Sequence, residues 1–282
     1  SLHDALPIYL GTGTSGSETP KWRFADNQYD YMGNGYGSAS NNGNVSISGY
    51  STYNTGSNNA TPTDADKQAA RDLFGWGSSG GGDPVTPPYM TVNSNGSIYG
   101  GTSNIAGTEK DWGVYHKESG NSTDKIENGG DHAWRTLTSA EWDNLFNRTK
   151  SVTTSSGSES KKLYGFGTVM GVKGVIVLPD GWDGKLVTGF AYAGTDYDVN
   201  VFNASTTVTW AQMEAAGAVF LPAAGNRLGS LVDYAGSYGC YWSSSVYSSD
   251  ADLAYRVYFR SESFNPQGYN YRYRGGSVRL VF

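Results

Sequence analysis

The chain has 282 residues, with 39 Gly and 21 Tyr, only 16% charged residues and a formal net charge of −6. That negative balance gives no electrostatic footing for nucleic acid, whose phosphates select basic surfaces. No apolar run reaches the roughly 20 residues a membrane-spanning helix needs, and a single cysteine, Cys240, excludes an intrachain disulfide.

Ser1 to Ile8 reads as the in-frame translation of a sequencing adapter, so the true start of the gene is expected to be missing and residues 9–282 to form the protein proper. Trp22 to Phe24 alternates apolar and polar and predicts a short strand, whereas Gly33 to Asn59, dominated by Gly, Asn and Ser, reads as a long loop. Asp64 to Leu73 predicts a helix stopped by Gly75, followed by an aromatic-anchored turn at Phe74-Gly75-Trp76-Gly77. A second loop runs from Asp83 to about Gly107, and loops of this length point to a functional loop scaffold. Thr138-Ser139-Ala140-Glu141 is a capping box opening a helix through Asn147, with Trp142, Leu145 and Phe146 on one face. Leu163 to Val169 and Val172 to Leu178 predict a strand pair closed by Pro179-Asp180-Gly181. Thr209 to Gln212 is a second capping box, Gly217 is placed to end that helix, and Ala218 to Leu221 reads as a buried strand. No repeat or linker divides the chain, which predicts one α+β domain with two main helices and small, mostly antiparallel sheets.

The C-terminal tract holds three short apolar pieces: Tyr241 to Ser244, Tyr255 to Arg260, and Ser277 to Phe282. In the second, Tyr255, Val257 and Phe259 face one way and Arg256, Tyr258 and Arg260 the other. An ordinary solvated face carries Lys, Glu and Thr; here it carries Tyr and Arg, the residues that supply binding energy at interfaces. Gly268 to Gly276 reads like an antibody loop, Tyr giving rigid amphipathic area beside adaptable Gly and Asn. A Tyr-rich structural loop, or a sheet edge blunted by charge, fits the same composition. Catalytic signals are missing: there is no HExxH and no Cys/His cluster, and the three histidines, His3, His116 and His132, have no nucleophile placed beside them by sequence. Asp111-Trp112-Gly113 and Trp182-Asp183-Gly184 read as turns.

The strings WRTLTSAEW (134–142), GVIVLPDGW (174–182), WAQMEAAGAVFLPAAGNR (210–227), YWSSS (241–245), FNPQ (264–267) and GGSVRLV (275–281), with WRFADNQYDYMG (22–33) and DLFGWG (72–77), resemble the variable proteins of diversity-generating retroelements, in their gut-bacterial and phage-associated group. The resemblance implies a C-type-lectin-like fold with long loop insertions, related to that of formylglycine-generating enzymes, and a variable region at 239–276. In that family a reverse transcriptase copies a template repeat with errors at adenines, so AAC or AAT codons yield Tyr, Asp, Ser, Gly, Arg, Leu, Ala, Cys and others, but never Lys, Glu, Gln, Met or Trp. The ligand-binding set this implies is Asp250, Ala251, Asp252, Leu253, Arg256, Tyr258, Arg260, Ser263, Gly268, Tyr269, Tyr271, Tyr273 and Arg274. Trp242, Phe259, Pro266, Gln267, Arg272 and Val278 read as fixed between them; Glu262 does not fit such a codon, and Cys240 does.

The resemblance implies a diversified receptor or adhesin for a protein or glycan ligand, at a cell surface, outside the cell or on a phage particle. It implies no catalysis, no nucleic acid, no membrane insertion and no cofactor, a structural calcium being compatible. An undiversified adhesive or carbohydrate-binding lectin-like module is the alternative. An enzyme of the formylglycine-generating type lacks its second cysteine here, and Asn265-Pro266-Gln267 lacks the carboxylate of a calcium-dependent sugar triplet. With Val257, Phe259, Val278 and Leu280 buried, Asp252, Leu253, Arg256, Tyr258, Arg260, Ser263, Tyr269, Tyr271 and Tyr273 are expected to form one contiguous exposed patch.

Overall fold

A computed structural model describes residues 8–11, 21–31, 72–78, 103–108, 110–113, 126, 134–228 and 231–282. Outside them lie the helix expected at 64–73 (but for Asp72 and Leu73), the 33–59 loop, most of the 83–107 loop and all three histidines. Both helices among the described residues start where capping chemistry places them. In α1 (Ser139–Asn147) the Thr138 hydroxyl accepts from the Glu141 N–H at 3.2 Å while the Glu141 carboxylate accepts from the Thr138 N–H at 2.9 Å. Thr209 and Gln212 repeat this reciprocal pair at α2 (Trp210–Ala215), which stops before Gly217 at φ 92°, a left-handed conformation that glycine adopts without strain.

A four-stranded sheet has the order β8 (Val201–Phe202), β6 (Tyr164–Val169), β7 (Val172–Val177), β9 (Val219–Pro222), antiparallel except where β8 meets β6. Period-two alternation sends its side chains to two different cores. Val169, Ile176 and Phe220 pack under α2 with Trp210 and Met213. Phe166, Val175, Val177 and Leu221 pack on the other face with Trp142 and Phe146 of α1. The described residues also form four two-stranded ribbons: β1 (Ile8–Gly11) with β2 (Lys21–Phe24), β3 (Arg135–Thr136) with β15 (Leu280–Val281), β4 (Thr149–Thr154) with β5 (Gly157–Lys162), and β10 (Asn226–Leu228) with β11 (Leu231–Asp233). The β4–β5 hairpin has no forerunner in the sequence reading: in its Ser/Thr/Lys pattern only Val152 is fully buried, so no apolar alternation marks it. The architecture is α+β and dominated by strands. Among the described residues no helix is long and apolar enough to cross a membrane.

The second large sheet has the order β12 (Tyr238–Val246), β13 (Leu253–Arg260), β14 (Ser263–Tyr271). Strand β12 is covered on both faces, and most of its polar side chains find internal partners, the buried Ser244 Oγ being without one among the described residues. The Tyr241 hydroxyl donates to Pro222 O at 2.8 Å, Trp242 Nε1 to Phe74 O at 2.7 Å, and Ser243 Oγ to Tyr255 O at 2.9 Å, while Ser245 Oγ accepts from the Ser139 N–H at 3.0 Å. The aromatic turn at 74–77 docks here: Phe74 and Gly276 exchange backbone hydrogen bonds, and Gly77 sits at φ 72°. Asp111 is wholly buried, but as an acceptor within its turn, taking hydrogen bonds from Thr136 N, Thr136 Oγ1, Gly113 N and Gly107 N; burial pushes its pKa up and these donors oppose that.

Arg135 clasps Glu141 with two hydrogen bonds of 2.8 and 2.6 Å, and this guanidinium, with Thr138, holds the Glu141 pKa down at about 2. A carboxylate depressed on folding stabilises fully above its unfolded pKa and loses that contribution as pH falls through the folded one. Both side chains are more than a third exposed, 42% and 37%, so solvent limits the effect to about 1 kcal/mol or less. Urea denaturation of the natural chain and Glu141→Gln is expected to differ by about that amount near neutral pH, and the gap to close as pH drops toward 2. A gap that persists in acid would assign the difference to packing.

Candidate binding surface

In β13 the expected alternation is present. Val257 and Phe259 are fully buried, Phe259 lying 6.0 Å from the Tyr241 ring and 5.7 Å from Phe166. Arg256, Tyr258 and Arg260 take the opposite face, paired with Trp242, Cys240 and Tyr238 of β12. There Arg256 Nη1 lies 3.0 Å from Cys240 Sγ, with the guanidinium 5.7 Å from the Tyr238 ring and 5.4 Å from Tyr258. The two rings stack at 6.2 Å. Burial, with Cys240 adding to it, raises the Tyr238 phenol to about 12 against the opposing pull of Arg256. Burial works against the Arg256 charge, yet Cys240 and Tyr238 leave its pKa raised.

The antibody-like loop expected at 268–276 is for its first part a strand: β14 runs to Tyr271 and pairs with the whole of β13. The glycine signal misled because Gly268 here permits close approach, not a turn. A Cβ on it would stand 2.5 Å from Cδ1 of Tyr258, whose ring lies over it. Between the pairs Tyr258↔Asn265 and Arg256↔Gly268, Val257 alone faces both Pro266 and Gln267, a bulge of one residue. Pro266 is tolerated there because a bulge relieves it of a ladder hydrogen bond.

That one residue corrects the single-patch expectation. Ser263, Asn265, Gly268 and Asn270 share the face of Arg260, Tyr258, Arg256 and Ala254, whereas Tyr269 and Tyr271 pair with Tyr255 and Leu253 and share theirs. The selected side chains thus lie on opposite faces of the β13–β14 ribbon. Tyr269 (51% exposed) stacks on Tyr247 at 4.3 Å, and Tyr247 meets Tyr255 at 5.2 Å. Tyr273 is buried and stacks on Tyr271, and Gly268 is buried under Tyr258; neither is available as surface. Asp250, Ala251, Arg260, Tyr269 and Tyr271 are exposed, and Asp252, Leu253, Arg256, Tyr258, Ser263 and Arg274 half-buried. Of the residues read as fixed, Trp242, Phe259, Arg272 and Val278 are buried, Pro266 is half-buried at the bulge and Gln267 is exposed. Arg272 lies 4.4 Å from the Trp76 ring and donates from Nε to Leu253 O at 3.2 Å.

Beside Arg256 opens a cleft of about 490 Å³, lined by Lys173, Tyr197, Asn226, Tyr234, Ser237, Tyr238, Arg256, Arg260, Ser261, Asn270 and Arg274. Only Arg256, Arg260 and Arg274 belong to the sequence-selected set. Lys173 sits on β7 and Asn226 on β10, and no local pattern announces that the fold brings them here. A larger cavity of about 700 Å³ runs along α1, walled mainly by apolar groups such as Leu137, Leu145, Val177 and Pro179, and holds none of the selected residues. Among the described residues no three His, Cys, Asp or Glu side chains converge as metal ligands. No protein-family model matches the chain, and neither a curated protein nor a solved structure is significantly similar to it.

Because the Tyr258 ring occupies the space above residue 268, Gly268→Ala alone is expected to cost about 1–2 kcal/mol of stability as overpacking. In a Tyr258→Ala background the same change costs at most half as much, a coupling read from a double-mutant cycle of urea midpoints. Equal costs in both backgrounds would show that the ring is not the obstacle.

Proposed function

We propose that this chain is a ligand-binding protein of receptor or adhesin type, carrying a retroelement-diversified C-terminal surface on a C-type-lectin-like scaffold. The observation that carries this reading is the sorting of the C-terminal tract. Apart from Gly268 and Tyr273, the side chains that the resemblance marks as variable are exposed or half-buried, while Trp242, Phe259, Arg272 and Val278 between them are buried. Changes confined to such surface cost little stability, so the ligand contacts vary while the core stays intact. The two faces of the β13–β14 ribbon then offer two kinds of contact. Tyr247, Tyr255, Tyr269 and Tyr271 form an aromatic ledge, suited to burial against a partner. Arg256, Arg260 and Arg274 form the charged wall of a cleft. Binding, not turnover, is the role proposed, on a cell surface, outside the cell or on a phage particle, toward a protein or glycan.

The DNA beside the gene tests the diversified part. A near-identical repeat differing at adenines within the codons of residues 250–274, next to a reverse transcriptase gene, is expected. If no such repeat exists, or if the differences fall on the codons of the buried residues, the undiversified adhesive module takes its place. On the protein, replacing Arg260, Tyr269 and Tyr271 together by Ala is expected to lower stability by about 1.5 kcal/mol or less, as for exposed side chains. Arg272→Ala, which removes a buried guanidinium from the Trp76 ring, should cost about 3 kcal/mol or more in the same thermal and urea melts. Unfolding of the triple variant would show that this surface is structural.

A further inference from the structure

We infer that the cleft between β7 and the β12–β14 sheet binds an acidic oligosaccharide, a short chain of sugar rings bearing carboxylate or sulfate groups; this rests on the ligand-binding reading above and names the chemistry of one of its two faces. Lys173, Arg256, Arg260 and Arg274 converge on one cleft in a chain whose net charge is −6, and none of the described residues that line it is a carboxylate. None of the four takes part in the ion pairs found among the described residues, which join Arg135–Glu141, Arg148–Asp180, Lys161–Glu159 and Lys185–Asp183. Like charges gathered in a partly dehydrated space repel one another, and a bound anion relieves that repulsion. The planar fork of a guanidinium meets a carboxylate or a sulfate with two parallel hydrogen bonds, which a lysine cannot reproduce. Arg256 is braced for this by Cys240 at 3.0 Å and by the Tyr238 hydroxyl beside it.

The remaining lining favours sugar over an acidic peptide. Asn226, Asn270, Ser237 and Ser261 interleave neutral donors and acceptors with the cations. A sugar ring presents hydroxyls to such groups at nearly every carbon, so a bound saccharide can pair with them along its length. Tyr234 holds its ring out at the cleft with 69% of the residue exposed, on a backbone at φ 59° that a bulky residue rarely adopts. A flat exposed ring of this kind packs against the C–H face of a pyranose. The volume, about 490 Å³, lies within the roughly 300–1,000 Å³ of small-ligand sites and admits a short oligosaccharide, not a folded partner. Lys173 stands outside the variable region and supplies a constant anchor, while Arg256, Arg260 and Arg274 stand inside it and set how much negative charge the cleft accepts.

Isothermal titration of the full chain with tetragalacturonate and a heparin-derived tetrasaccharide tests this, with maltotetraose and tetraglutamate in parallel. At least one acidic tetrasaccharide is expected to bind, with affinity falling about tenfold or more as salt rises from about 50 to about 500 mM, since exposed charges are screened. The double variant Lys173→Ala with Arg260→Ala, both exposed and so expected to melt like the parent, should lose about tenfold or more, and Lys185→Ala, an exposed cation outside the cleft, nothing. Failure of both acidic saccharides to bind overturns the inference, as does maltotetraose binding equally well. Tetraglutamate binding as tightly as the saccharides overturns it in favour of an acidic peptide. A missing template repeat would leave these titrations untouched, and negative titrations beside an intact repeat would refute the saccharide while leaving the displayed surface standing.

Discussion

Strand β12 has no free face, and the C-terminal half of the molecule is arranged around that constraint. Tyr241 enters the core shared with α1 and the four-stranded sheet, and Trp242 enters the one built from Phe74, Trp76, Ala254 and Leu280. A strand sealed on both sides is under pressure to satisfy its polar groups internally, since an unpaired buried group costs about 1–3 kcal/mol, and Ser244 Oγ is the exception among the described residues of this strand. Ser243 and Ser245 follow from that pressure, being small enough to be enclosed and polar enough to bond Tyr255 O and Ser139 N. The ladder then passes outward, β12 holding β13 and β13 holding β14, and accessibility increases along the same path.

The bulge at Pro266 and Gln267 decides how that outward ladder meets solvent. Side chains alternate with a period of two, so one inserted residue exchanges the two faces for everything beyond it. Before the bulge Ser263 and Asn265 lie with the Arg/Tyr face; beyond it the tyrosines at 269 and 271 are turned to the other side, and Gly268 falls where Tyr258 needs room. One ribbon therefore carries an aromatic ledge and a cationic wall with different chemistry on each. The cationic wall becomes a cleft only because β7 and the segment around Tyr234 stand opposite it.

Buried polar hubs tie the distant parts of the chain to this arrangement. Gln28 donates to Glu214 and accepts from Phe220 N at 2.7 Å and from Arg279 Nη2 at 2.8 Å, linking the segment after β2 with α2, β9 and the last strand region. Arg272 and Arg279, both fully buried, follow the exposed Tyr269 and Tyr271 without sharing their surface. An arginine in such a tract is thus not one kind of residue: Arg260 reaches solvent, and Arg272 lies against Trp76.

Local chemistry was legible in the sequence. Both capping boxes, the glycine that ends α2, the β6–β7 pair and the alternation of β13 depend on residues within a few positions of one another, where hydrogen-bond geometry and side-chain period leave few choices. The burial of Val257, Phe259, Val278 and Leu280 was legible in the same alternation. Only the tertiary structure decided the rest. The polar β4–β5 hairpin carries no apolar signal, and β14 is a strand because β13 offers it a partner, not because Asn265-Pro266-Gln267-Gly268 favours one. Which face Tyr269 and Tyr271 occupy hangs on one inserted residue, and the cleft joins Lys173 to Arg256 across the gap between two sheets. Sequence records what each residue prefers beside its neighbours; which distant residue stands opposite is set by packing, and the candidate site is made of such encounters.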